Sequence, residues 1–306
     1  MIAAYGKLGI SKEYLRHQCH DGIALKFRQW MDSGFDHAAT REALPRLDKA
    51  KAQRIYYRSP NESEAALALA IPSRDASGTR EFPFGVLRTV PRTGAAETSF
   101  SLLEAEWTTV EARFDELIAA PDTDDFFARA KAVGAIDPSG GETDLGSLGE
   151  WVSRLYRYDP VDLLVRALWR LRVLRPHLES EAPELRRLRV PLAGGMPTGP
   201  QVDVWAKLLG GLHPVYSAVP SWSTVRPDPA AKPKPAAAWL VFGEPRAVDF
   251  GPALGGKTER DHGVDLVDNE GRLPVDGFGE FRERLEAGPL RSEGTFEELL
   301  AFEIAG

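Results

Sequence analysis

The chain has 306 residues, 43% of them hydrophobic, and a formal net charge of −7 from 38 Lys plus Arg against 45 Asp plus Glu. This is ample for one large core or two small ones, and the charge opposes a phosphate backbone, so nucleic acid is not an expected partner. No window reaches the roughly 18 uncharged apolar residues of a membrane span, the start MIAAYGKLGISKEYLRH lacks a secretory-signal pattern, and the lone Cys19 excludes an intrachain disulfide or multi-cysteine zinc site, so a reducing cytoplasm is the expected compartment.

In chain order, residues 21–44 carry Ile23, Leu25, Phe27, Trp30, Met31 and Phe35 at steps of three and four, which predicts a helix burying one face. Residues 54–57 and 65–71 are short apolar runs bounded by turn-forming Ser-Pro-Asn and Pro-Ser-Arg-Asp, and read as two strands; residues 82–90 offer a third. Leu103, Trp107, Val110, Phe114, Leu117 and Ile118 then draw one continuous helical stripe. Residues 121–146 hold a short amphipathic piece around Phe126, Phe127 and Ala130 and the breakers Asp137-Pro138-Ser139-Gly140-Gly141, and are expected to be an insertion or flexible linker.

Trp151, Leu155 and Tyr158, then Leu164, Leu168 and Leu171, predict two helical pieces meeting at Asp159-Pro160, because proline is tolerated in a first turn and not in an interior. Arg166, Arg170 and Arg172 lie among the apolar positions and are expected to run their stems along the surface. Arg186, Arg187 and Arg189 read as a solvated edge leading into a buried strand at 188–192. A helix is expected at 202–209 and strands at 215–219 and 236–242, with the proline-rich 226–235 an exposed loop between them. Strands and helices alternate, so the expected class is α/β, a sheet covered on both faces. Beyond Gly256 glycines recur among charges and only 296–302 looks helical, so 257–306 is expected to be a carboxy-terminal extension of a domain spanning 1–256.

Several motifs suggest chemistry. Gly251-Pro252-Ala253-Leu254-Gly255-Gly256-Lys257-Thr258 satisfies the phosphate-loop spacing, in which backbone N–H groups cradle phosphates at a helix start. The following Glu259-Arg260-Asp261-His262-Gly263 offers acids and no helical periodicity, and Pro252 removes one N–H. Asp268-Asn269-Glu270-Gly271 hints at a calcium loop, yet that register puts Leu266 and Gly277 where carboxylates are required. His17, Cys19 and His20 cluster without a metal-ligand spacing, and no Gly-x-Ser-x-Gly is present, so no metal, cofactor or nucleophilic centre is expected. A polar set remains on connecting segments: Lys7, Glu13, Ser73, Arg74, Asp75 and Arg80. Such a group recognises a partner's polar surface; the alternative is that Asp75 and Ser73 stabilise a turn while Arg80 pairs with a nearby acid.

Three ordered blocks resemble the TagF-like (ImpM-like) family of type VI secretion-associated proteins. Tyr5-Gly6-Lys7-Leu8-Gly9-Ile10-Ser11-Lys12-Glu13-Tyr14 follows the family's opening, with Gly9 where the family has proline and Lys12 where it has glycine. Phe27-Arg28-Gln29-Trp30-Met31-Asp32-Ser33-Gly34-Phe35 falls into step with its first helix. Pro72-Ser73-Arg74-Asp75-Ala76-Ser77-Gly78-Thr79-Arg80-Glu81-Phe82-Pro83 is similar to its third block with one residue inserted before Arg80. Ser221-Trp222-Ser223-Thr224 and Gly243-Glu244-Pro245 with Phe250 and Leu254 are weaker echoes, the last placing the phosphate-loop match at a helix's end.

The resemblance implies a three-layer α/β/α sandwich and a non-enzymatic, post-translational repressor of type VI secretion. It implies a cytoplasmic forkhead-associated scaffold as partner, alongside a threonine kinase and phosphatase pathway. By position, Lys7, Ser73, Asp75 and Arg80 are then the expected partner-binding residues. Two rival functions stay open at this point: a nucleotide-binding enzyme using the 251–258 segment, and an adaptor that binds through its tail, 257–306.

Overall fold

A computed structural model describes residues 2–91, 100–132, 145–155, 159–178, 186–210, 221–226, 236–257, 263–267 and 276–302. The strands are β1 (Ile2–Gly6), β2 (Leu15–His17), β3 (Gln53–Arg58), β4 (Glu64–Ile71), β5 (Phe84–Pro91), β6 (Arg187–Leu192), β7 (Ser221–Val225), β8 (Ala236–Val241) and β9 (Gly263–Asp265). The helices are α1 (Gly22–Thr40), α2 (Glu104–Ile118), α3 (Thr123–Lys131), α4 (Leu148–Ser153), α5 (Pro160–Leu178), α6 (Thr198–Gly210), α7 (Ala247–Ala253), α8 (Phe278–Ala287) and α9 (Phe296–Ala301).

All described strands join one nine-stranded sheet in the order β2-β1-β5-β4-β3-β7-β8-β6-β9. Neighbours run antiparallel except β6 and β9. The two-residue period of a strand sorts β4 onto two faces. Leu67 and Leu69 belong to one apolar cluster with Trp107, Phe114 and Phe126. Ala66, Ala68 and Ala70 belong to a second with Phe27, Trp30, Met31 and Phe250. Three small side chains in a row leave room for the bulky face of α1, which packs on β4 and β5, while α7 packs beside α1 on β7 and β8. The chemistry is therefore α/β: a mixed sheet with helices against both faces.

Most expected elements are present, and the differences have physical reasons. β1 and β2 lacked a sequence signal because IAAYG is small and apolar throughout, buried on both sides, and LRH is only three residues. β7 also went unread, and the strand expected at 215–219 lies outside the described residues. In the α2 stripe, Leu103 to Leu117 are buried as expected, but Ile118 faces out at 42% exposure. The piece around Phe126 is no linker: α3 packs on α2 and β1, and the Phe126 ring lies 6.0 Å from that of Phe84. The Asp137 to Gly141 breakers lie outside the described residues.

Pro160 opens α5, as its missing N–H permits. Arg170 departs from the expected surface role: it is 9% exposed, and its Nη1 donates to the Asp265 carbonyl at 2.6 Å. Arg187 is likewise buried, donating to the Val248 carbonyl at 3.0 Å and facing the Asp249 carboxylate at 3.3 Å. The segment expected as an extension joins the same core. It supplies β9 at the sheet edge, and Leu266, Phe281, Leu285 and Leu299 enter the cluster that holds Trp107. α8 was missed because its stripe is only Phe278, Phe281 and Leu285 among six charged or glycine positions; α9 forms within the expected 296–302, closed at its start by a Thr295 and Glu298 capping box.

Candidate functional site

The four site residues expected from sequence converge at one corner of the sheet, where β1 ends and the turn before β5 returns. Gly6 pairs with Phe84 and adopts φ +134°, and a Cβ there would fall 2.0 Å from the Pro83 carbonyl oxygen. Only glycine lets the two strands approach so closely. Lys7 then leaves β1 pointing inward.

Lys7 Nζ donates to the Lys12 carbonyl at 2.9 Å and lies 3.9 Å from Asp75 Oδ2. Arg80 Nε donates to the same Oδ2 at 2.6 Å, and its Nη2 donates to the same Lys12 carbonyl at 2.5 Å. Asp75 Oδ1 accepts from the Ser77 hydroxyl at 2.6 Å and the Ser77 N–H at 3.1 Å, the local turn geometry that Asp favours. Backbone bonds complete the joint: Asp75 N–H to the Arg80 carbonyl, Phe82 N–H to the Ser73 carbonyl, and Ala76 N–H to the Ser11 carbonyl. The Ser77 hydroxyl first, and the Arg80 guanidinium with it, hold the Asp75 carboxyl far below the usual carboxylate range.

The corner is brought together as expected, but not as an open ionic patch. Lys7 and Asp75 are buried, 2% and 1% exposed. Arg80 keeps 53% of its side chain in solvent, and Ser73 is half-buried with no side-chain hydrogen bond among the described residues. The Asp75 and Arg80 pair closes the turn, with Asp75 beneath it and Arg80 at its solvent side. The ion pairs clamp residues 9–14 against residues 73–82, and what faces solvent is the rim of those two loops.

Sequence reasoning missed the aromatic part of this rim. Tyr14 stacks on Tyr5 with centroids 5.6 Å apart and meets Phe82 edge-on at 4.9 Å, while remaining 36% exposed. Lys7 Nζ sits 4.4 Å from the Tyr14 ring centre, a cation over a π face. The Tyr5 hydroxyl donates to Asp32 of α1 at 2.5 Å, and burial with that bond pushes the Tyr5 phenol well above its usual range. The three-residue strand that carries Arg16 beside Tyr5 gave no periodic signal, so this contact was beyond a single-sequence reading.

The other candidate segments fall away. The phosphate-loop-like stretch ends a helix instead of opening one, with Gly251 and Pro252 inside α7. Gly255 has φ +79°, its N–H bonds the Pro252 carbonyl at 3.0 Å, and the Gly256 N–H bonds the Gly251 carbonyl at 2.8 Å. This bond pair closes a helix carboxy terminus, whose exposed carbonyls carry partial negative charge and repel phosphate. Gly256 is also pressed on Ala43, where a Cβ would lie 1.9 Å from the carbonyl oxygen. The nucleotide-binding alternative therefore loses its structural context; Thr258 and the calcium-like Asp268 to Gly271 lie outside the described residues. Among the described residues no His, Cys, Asp and Glu grouping could hold a metal ion, and no helix is long and apolar enough to cross a membrane.

Comparison with known families decides what the corner belongs to. Residues 3–133 match the model of the TagF N-terminal domain, described as type VI secretion system-associated. This part of the chain is similar to the TagF N-terminal domain. The matched segment runs from β1 through α3 and contains the whole corner. No curated protein matches the chain. Among solved structures, the crystal structure of PA0076 from Pseudomonas aeruginosa PAO1 is similar at 16% identity and a TM-score of 0.43, over 90% of this chain and 97% of that one.

Proposed function

We propose that the chain is a non-enzymatic, cytoplasmic accessory protein that represses type VI secretion assembly after translation, by binding a component of the apparatus. The partner is a cytoplasmic forkhead-associated scaffold, as the TagF resemblance implies. What supports this most is the TagF match over residues 3–133, because both loops of the clamped corner lie within it. In this proposal the sheet and its flanking helices act as a three-layer α/β/α scaffold that holds the corner rigid. Ser73 and Arg80 meet the partner, and Lys7 and Asp75 set the loop geometry from beneath.

The test is capture of partners from a type VI-encoding bacterium by the intact protein, with secretion measured in a strain lacking it. A forkhead-associated protein in the captured fraction and raised secretion in the deletion strain are expected. Recovery of no secretion component, together with unchanged secretion, overturns the proposal. Arg80→Ala, checked for a native circular dichroism spectrum, is expected to weaken capture; full capture by that variant removes Arg80 from the binding face.

A further inference from the structure

The rim has an uneven charge pattern. Arg16 on β2 and Arg28 on α1 form no ion pair among the described residues, whereas Arg54, Arg80, Arg189, Arg226 and Arg282 do. Both guanidinium carbons lie within 6.0 Å of one ring, that of Tyr5, and Arg16 is 5.7 Å from the Tyr14 ring centre as well. Two forked cations therefore flank the buried Tyr5 ring, and one of them, Arg16, also lies beside the exposed Tyr14 stacked on it, in a chain of net charge −7. β2 is the outermost strand at this edge, so the sheet continues no further over the pair.

Three features make this a recognition surface instead of ordinary solvated charge. Tyr14 is held by Tyr5 and Phe82, and its loop is tied at the Lys12 carbonyl by Lys7 and Arg80, so docking orders little that is not already ordered. Arg and Tyr are the residue types over-represented where binding energy concentrates. A guanidinium stacked on a ring still presents its edge donors, and these match a carboxylate in a two-pronged bond that a lysine cannot make. The acids that act on the Tyr14 ring, Asp32 and then Asp36, both lie on α1, and Asp32 is already engaged by the Tyr5 hydroxyl.

We infer that Arg16, Arg28 and Tyr14 form the docking point for an acidic peptide segment of the partner protein, one carboxylate group reaching each guanidinium while an apolar stem covers Tyr14. This deepens the partner-binding proposal and rests on it. A phosphate backbone is a poorer fit, because the rest of the chain repels a long polyanion.

The probe is a fluorescein-labelled hexaglutamate peptide followed by fluorescence anisotropy at low and physiological salt, with hexaglutamine and a single-stranded oligonucleotide as comparators. Saturable binding to hexaglutamate, none to hexaglutamine, and a loss of about tenfold or more in the Arg16→Ala, Arg28→Ala double variant are expected. The Arg16→Lys, Arg28→Lys variant should keep the charge and recover only part of the loss. Hexaglutamate binding that is absent, or that survives in the alanine double variant with its melting temperature unchanged, overturns the inference; so does tighter binding of the oligonucleotide. If hexaglutamate fails while the intact protein and the double variant both capture a secretion component, the acidic-segment chemistry is wrong and the function stands. If nothing from the apparatus is captured, the function itself falls.

Discussion

Replacing Gly256 with alanine separates the capped-helix structure from a phosphate loop more sharply than any nucleotide titration alone. The new methyl carbon would stand 1.9 Å from the Ala43 carbonyl oxygen and 2.9 Å from that of Gly251, both on backbone that no rotamer change relieves. Moving away breaks two bonds, Gly256 N–H to Gly251 and Lys257 N–H to Ala43, at 2.8 and 2.9 Å. Each is worth about 1 kcal/mol net, and overpacking adds about 1–3 kcal/mol, so a loss of roughly 3–5 kcal/mol is expected. In a chain of this size that corresponds to a fall in melting temperature on the order of ten degrees. Lys257→Ala, at an exposed position, should change stability by less than about 0.5 kcal/mol. Urea unfolding followed by tryptophan fluorescence measures both, and calorimetry with ATP and magnesium accompanies it. A Gly256→Ala protein as stable as the parent, or submicromolar ATP binding lost in Lys257→Ala, would refute the helix-end assignment.

Three further outcomes are expected. Gln201→Leu removes the amide that accepts from Trp151 Nε1 and the Ala193 N–H and donates to the Ala193, Met196 and Pro197 carbonyls; several buried groups lose partners at about 1–3 kcal/mol each, and a urea midpoint within error of the parent contradicts it. Arg54→Ala leaves the half-buried Glu104 and Glu111 carboxylates without the guanidinium that meets them at 3.1 and 2.7 Å beside Trp107, for a loss of about 3 kcal/mol by the same denaturation curve. Asp75 has a lower carboxyl pKa folded than unfolded, so it contributes stability that is complete above about pH 5 and lost as pH falls through the acid range. Asp75→Asn should accordingly flatten the stability profile below about pH 5, and a profile of unchanged slope sinks the assigned role.

Periodicity made the long elements legible. The α1 and α2 stripes name their own buried faces, and β3, β4 and β5 are apolar runs fenced by turn residues. The short strands escaped because three to five residues carry no period, and α8 escaped because its apolar positions are few among charges. At the candidate site, the residue types and the turn were readable: an Asp followed two positions later by Ser is a turn signal, and it is the Ser77 contact that forms. Exposure was not readable. Lys7 looks like a surface lysine in sequence, and only the return of Asp75 from another segment, and the Tyr14 ring above it, make its burial tolerable. Tyr14 and Arg16 meet Tyr5 through strand pairing, a relation that spacing along the chain does not encode.

The place of β7 has a consequence for handling the molecule. It binds the free side of β3, matching Gln53 to Tyr56 with Val225 to Trp222, and Arg226 beside it grips Asp115 of α2 with two bonds of 2.7 and 2.6 Å. A fragment stopped at residue 133 would keep the family's segment yet strip the hydrogen-bonding rim of β3 bare, with Ile55 and Tyr57 left beside an unsatisfied backbone. Such a rim invites pairing between copies. The unit that inherits a family name and the unit that stays monodisperse in a tube are, for this chain, different lengths.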